Sequence, residues 1–237
     1  TDKPLPPWPP HETGVTIKIA GALSVVPEAE WNACAHPAGT IYNPFNDHRF
    51  LSALEESGCV GGRTGWNPAH VLVEDEHGQL LACAPAYLKT HSQGEYVFDH
   101  GWADAYERAG GQYYPKIQVS IPFTPATGAR LLIRDGIDKE MARASLLAGL
   151  KALRAQTKSS SIHATFLENA EWEFLGAHDF LQRIDQQFHW FNHGYESFDD
   201  FLARLASRKR KLIRRERRDA LANGITIHHL TGDALTE

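Results

Sequence analysis

Cysteine is scarce. Cys34, Cys59 and Cys83 are the only three, spaced 25 and 24 residues apart with no CxxC pair. An odd, widely spaced set cannot form a closed disulfide framework, so a reducing compartment, the cytoplasm, is expected. No run approaches the roughly 18 uninterrupted apolar residues that a membrane span requires, and the first residues lack the charged, apolar, small-residue order of a secretory signal. Metal-binding patterns are missing as well. There is no HExxH, and His228 and His229 point to opposite faces of a predicted strand. His189 and His193 have chelating spacing for a helix, but their stretch predicts a strand, where four residues span about 13 Å. No metal is expected.

What is present suits a folded globular protein: 237 residues, 42% hydrophobic and 22% charged, far from the composition of a disordered chain. The net charge of −5 hides an asymmetry. Arg204 to Arg218 hold nine Lys/Arg and one Glu, a local +8, which leaves −13 on the remainder. A polyanionic partner is one reading of that run, a solvated face or pairing with the acidic remainder the other. Duplex DNA is not expected, because the pI is near 6.2 and no base-reading module surrounds the run.

Along the chain, residues 1–13 carry Pro at 4, 6, 7, 9 and 10 and predict an extended tail. Strands are predicted at Val15 to Ala20, Ala69 to Glu74, Leu80 to Lys89, Lys116 to Ile121, Ser161 to Leu167, Arg183 to Asn192 and Ile225 to Leu230. A turn at His77-Gly78 joins the second and third of these as a hairpin. Helices are predicted at Pro27 to Ala33, Asn46 to Ser57, Asp138 to Thr157, Asn169 to Gly176 and Ser197 to Asn223, the last with Ser197 and Asp200 in capping-box positions. Asp99 to Gly110 is a loop or a short helix, and Pro122 to Arg130 a loop. The order is that of a mixed α/β protein with a partly antiparallel sheet. Three regions are expected: the tail, a first domain over 14–195, and a helix and strand over 196–237 that begin a second domain.

Several stretches carry a more specific likeness: Asn43-Pro44-Phe45, the run Asp99 to Tyr106, Tyr113-Tyr114-Pro115-Lys116, Pro122 to Leu132, Ser161-Ile162-His163, Gln187-Phe188-His189-Trp190, and Ser207 to Arg218. Together they resemble the FemAB-like family of the peptidoglycan biosynthesis or recognition class, within the GNAT acyltransferase superfamily. The resemblance implies a GNAT-like fold and a second GNAT-like domain of which most lies outside this sequence. It also implies transfer of an acyl or aminoacyl group to an amine, with acyl-CoA or aminoacyl-tRNA as donor substrate and no tightly bound cofactor. A nucleotide-linked cell-wall precursor or tRNA would be the anionic partner. In that superfamily a Q/R-x-x-G-x-G/A loop holds the CoA pyrophosphate on backbone N–H groups. Laid on Thr124 to Ala129, the pattern keeps only Ala129.

The candidate residues follow. Arg204, Arg208, Lys211, Arg215 and Arg218 step by four and three along one helical stripe, with Arg210, Arg214 and Arg217 beside it. Arg208, Lys211, Arg214 and Arg215 are the expected substrate-binding set. Thr127, Gly128 and Arg130 are the expected cofactor-binding set in a loop that is otherwise an ordinary turn. His163, Asp99 and His189 are candidates for base or positioning work; the alternative for His163 is a hydrogen-bonded core histidine. Asp99-His100 could form a base and its orienter, although neighbouring side chains need not face each other. Cys83 reads as a small core residue. The competing function is a non-catalytic module that binds an anionic glycan precursor, nucleic acid or a lipid head group.

Overall fold

The computed structural model describes residues 14–235, so the proline-rich tail lies outside the described residues. The chain divides into two compact units, one ending at Gln182 and the other starting at Arg183. The stretch 183–195 therefore falls in the second unit. No helix among the described residues is long and apolar enough to cross a membrane.

The first unit is mixed α/β, as the pattern implies. Its elements are β1 (Thr16–Ala20), α1 (Glu28–Ala35), α2 (His48–Glu56), β2 (Trp66–Pro68), β3 (His70–Glu74), β4 (Leu80–Ala84), β5 (Ala86–Lys89), α3 (His100–Arg108), β6 (Lys116–Val119), β7 (Leu132–Ile133), α4 (Lys139–Thr157), β8 (Ile162–Ala164) and α5 (Asn169–Ala177). The strands form two four-stranded sheets, ordered β1-β3-β4-β7 and β2-β5-β6-β8. All pairs are antiparallel except β6 with β8.

The stretch Leu80 to Lys89 is not one strand. It breaks at Pro85, which has no N–H to donate to a ladder, and its halves join different sheets. Side-chain alternation nonetheless runs through the break. Ala82, Ala84 and Ala86, with Leu88 partly buried, share one apolar cluster with Val71, Val73, Ile117, Val119, Leu146, Leu150 and Leu153. A single helix, α4, thus lies along one face of both sheets. Its approach is close: a Cβ at Gly149 would stand 2.5 Å from Val71 Cγ1. Burying each such leucine contributes about 1.5–3 kcal/mol. The opposite face of the first sheet, with Leu72, Cys83 and Leu132, packs on Trp31, Leu23 and Leu51 from α1, α2 and the turn between β1 and α1. Cys83 is the small core residue expected.

β2 and β7 are only three and two residues long, too short to leave a periodic signal. In the second unit, Arg183 to Asn192 and Ile225 to Leu230 carry no strand. Strand-forming side chains do not make a strand without a ladder partner, and no strand is assigned among the described residues of that unit. The long helix predicted from Ser197 is two helices, α6 (Phe198–Arg204) and α7 (Ser207–Ala220), separated by extended residues Leu205 (ψ 152°) and Ala206 (ψ 142°). The capping box is present: Ser197 accepts from the Asp200 N–H, and Asp200 accepts from the Ser197 N–H.

Candidate functional site

The second sheet has one apolar face toward α4 and one polar face. On β6, Ile117 and Val119 point to the core while Lys116 and Gln118 point away, as strand alternation requires. In register beside them stand Lys89 and Tyr87 of β5 and His163 of β8. The segment between β5 and β6 covers this face. It carries Ser92, Glu95, Asp99, Tyr113 and Tyr114, and the first four are buried.

Two ammonium groups and two carboxylates meet there. Lys116 Nζ lies 2.5 Å from Asp99 Oδ2, 2.8 Å from Glu95 Oε2 and 2.9 Å from Ser92 Oγ. Asp99 also accepts from the Tyr113 hydroxyl at 2.8 Å. Lys89 Nζ donates to the Gln93 carbonyl at 3.2 Å, sits 4.0 Å from Glu95 and lies 3.6 Å from the centre of the Trp66 ring. Both lysines are fully buried.

Burial is the largest influence on each group, and for Asp99 alone its neighbours reverse the sign. Burial alone would raise the Asp99 carboxyl, but hydrogen bonds from Lys116, Ser92 and Tyr113 hold it down at about 2. Burial lowers Lys89 to about 7, with the Glu95 charge only partly opposing it. Glu95 is pushed up by burial against the pull of Lys116. Burial and the Asp99 charge together push the Tyr113 phenol up. The network neutralises its own charge and fastens the covering segment to the sheet. From sequence, Tyr113 and Lys116 stand out only as part of a family-like stretch, and Lys89 and Glu95 do not stand out; the usable signal is a lysine at one end of each of two buried strands.

Of the expected catalytic residues, Asp99 and His163 meet the same tyrosine. The Tyr113 ring is 6.1 Å from the His163 ring, and the Tyr113 hydroxyl bonds Asp99. His163 Nε2 lies 2.8 Å from Ser161 Oγ and is partly exposed. Gln118 and Ser120, both buried, have a side-chain oxygen without a hydrogen-bond partner among the described residues. His189 belongs to the second unit, where it is exposed and its ring is stacked 6.2 Å from Phe191.

The loop at 122–130 turns two of its three candidates inward. Arg130 is fully buried; its guanidinium donates to the carbonyls of Ala126, Ala129 and Thr165. Burial lowers it to about 10. The N–H groups of Arg130 and Leu131 both donate to Glu171, a buried carboxylate on α5. A side chain at Gly128 would collide with the Asn43 amide. Thr127 alone faces solvent. Arg130 and Glu171 therefore hold the shape of the loop.

In the second unit, α7 has no fully buried residue. Arg214 pairs with Asp199 at 3.1 Å, Arg218 with Asp219, and Arg217 lies 4.4 Å over the Phe198 ring. Arg208, Lys211 and Arg215 are exposed with no carboxylate partner among the described residues. An open cleft of about 460 Å³ in the same unit is lined by Trp190, Tyr195, Phe198 and Phe201.

Comparison with known proteins gives a family. The FemAB-like family model, described as peptidoglycan biosynthesis/recognition, matches residues 22–237. No curated protein matches the sequence. Among solved structures, a candidate acetyltransferase from Deinococcus radiodurans R1 is 14% identical, with 75% of this chain and 89% of that chain covered and a TM-score of 0.36.

Proposed function

The chain belongs to the FemAB-like family, and on that premise we propose that it transfers an acyl or aminoacyl group to the amine of a phosphate-bearing acceptor. The observation that carries the anionic part of this reading is the exposed ridge of α7. Like charges at this density repel by a few tenths of a kcal/mol per neighbouring pair in an isolated helix, and only Arg214 and Arg218 have an acidic partner among the described residues. A phosphorylated ligand relieves that repulsion through charge-assisted hydrogen bonds. Arg208, Lys211 and Arg215 take the ligand in this reading, and Arg214 does so in competition with Asp199.

Transfer requires the neutral amine to attack the acyl carbonyl, its proton to depart and the oxyanion to be stabilised. His163 is the group assigned to the proton, since its ring is partly exposed and carries a Ser161 hydroxyl partner. Asp99 has a positioning role through Tyr113, because a carboxylate held by Lys116 is a poor base. Thr127 offers the loop's exposed hydroxyl to an acyl-CoA or aminoacyl-tRNA donor. The second reading, binding an anionic precursor without turnover, is favoured by the inward turn of Gly128 and Arg130, which leaves the loop few groups for a donor.

Transfer is measured with the full chain, a panel of acyl-CoA and aminoacyl-tRNA donors and nucleotide-linked amine acceptors. Product that disappears in Arg208→Ala/Lys211→Ala/Arg215→Ala supports transfer. Binding without product, weakened in the triple variant and by salt, supports the second reading. Unchanged binding in the triple variant removes α7 from both.

A further inference from the structure

A second cleft, of about 840 Å³, opens in the first unit between the turn before α1, the end of α2 and the glycine-rich stretch Gly58-Cys59-Val60-Gly61-Gly62-Arg63-Thr64-Gly65. Only two charged side chains line it, Glu55 and Arg63. They are not paired with each other. We infer that this cleft binds a small zwitterion of amino-acid type, with its ammonium on Glu55 and its carboxylate on Arg63.

Glu55 is a prepared acceptor. Its side chain is 13% exposed. One oxygen takes a hydrogen bond from His70 Nε2 at 3.0 Å, and the other takes one from the Leu23 N–H at 2.9 Å. His70 is itself fully buried, with the rings of Trp31 at 5.5 Å and Tyr87 at 5.2 Å. The carboxylate is thus fixed from two sides, and each oxygen retains a lone pair for a ligand.

Arg63 is the opposite case, an exposed cation with no carboxylate partner among the described residues, on a loop that is itself braced. The Gly61 N–H donates to the Trp66 carbonyl at 2.7 Å, the Thr64 N–H to the Gly61 carbonyl at 3.1 Å, and His91 Nε2 lies 2.9 Å from the Thr64 carbonyl. Gly61 and Gly62 both have positive φ (95° and 56°), and no heavy atom stands within 4 Å of the place a Cβ would take at Gly58, Gly61 or Gly62. Those three positions keep the wall beside Arg63 open. A ligand of one charge would meet attraction from one wall and repulsion from the other. A ligand carrying both charges meets attraction twice, and the volume admits a free amino acid or a short peptide. This inference does not rest on the transfer reading and uses no residue assigned to it.

Calorimetric titration of the full chain with L-alanine and L-alanyl-L-alanine tests it, against propionate, ethylamine and inorganic phosphate. The expected result is binding of alanine or the dipeptide in preference to all three controls, weakened about tenfold or more by Arg63→Ala. Arg63 has no internal carboxylate partner, so that variant keeps the fold. Glu55→Gln is expected to remove the preference for alanine over propionate; should it unfold, the comparison of alanine with propionate on the unaltered chain decides the role of the ammonium. No binding of either zwitterion, equal or tighter binding of propionate or phosphate, or unchanged affinity in Arg63→Ala would each overturn the inference.

Discussion

Lys116 and Asp99 form a direct ion pair, 2.5 Å between Nζ and Oδ2, with both residues out of contact with solvent. The strand supplies the cation and the covering segment supplies the anion. Lys116→Met would leave Asp99 and Glu95 buried without their main counter-charge. Breaking a buried pair from one side costs about 3–5 kcal/mol, a loss readable by urea denaturation. Adding Asp99→Asn to that variant should recover part of the loss, because one of the stranded charges is then gone.

Acid should dismantle the same pair. Asp99 titrates at about 2 in the fold, below the ordinary aspartate value of 3.8. Its contribution is complete above about pH 4 and is lost as the pH falls through about 2, since the unfolded chain takes up the proton first. Stability measured between pH 5 and 2 should fall less steeply in Asp99→Asn than in the unaltered chain.

Lys89 gives the opposite limb. Buried, it releases its proton at about 7, whereas a free lysine keeps it to 10.5. Between those values the unfolded chain holds more protons, so stability contributed at this position rises with pH across that interval. Lys89→Met should flatten the alkaline rise seen in denaturation at pH 6.5, 8 and 9.5.

Gly149 sets two magnitudes against each other. Alanine gains about 1 kcal/mol of helix propensity over glycine, but its methyl would press on Val71 and Ile17, at 2.5 and 2.9 Å from the nearest side-chain atoms. Overpacking typically costs about 1–3 kcal/mol. Gly149→Ala should therefore destabilise by about 1 kcal/mol, visible as a lower thermal midpoint.

Glu171→Ala removes the acceptor of two buried N–H groups, those of Arg130 and Leu131. Each orphaned donor costs about 1–3 kcal/mol. The loss should appear in urea denaturation together with greater protease sensitivity in the loop at 122–130.

The sequence made regular parts of both units legible where their signals are local. The α4 periodicity, the His77-Gly78 turn and the Ser197 and Asp200 cap each depend on residues within a few positions of one another. Strands were misjudged where pairing decides. Pro85 stood visibly inside Leu80 to Lys89, yet nothing local says that its two sides belong to different sheets. Arg183 to Asn192 has strand-forming side chains but no ladder partner. The charge pattern was legible for Arg204 to Arg218, where nine cations crowd fifteen positions from the end of α6 through α7. It was not legible for Lys89, Lys116, Glu95 and Asp99, which are scattered over 28 positions and meet only when a strand register and a covering segment bring them together. Arg130 shows the reverse difficulty: a cation in a loop looks available for a ligand, and only its three carbonyl acceptors reveal its structural task.

The unbroken alternation across Pro85 makes α4 a shared wall for two ladders. A lesion on that wall cannot be confined to one of them. Loosening Leu146 or Leu150 uncovers Val71 and Val73 on one side of the proline and the neighbourhood of Ile117 and Val119 on the other. The charged network behind Ile117 would then lose its dry backing in the same event. The two ladders of the first unit consequently stand or melt as one.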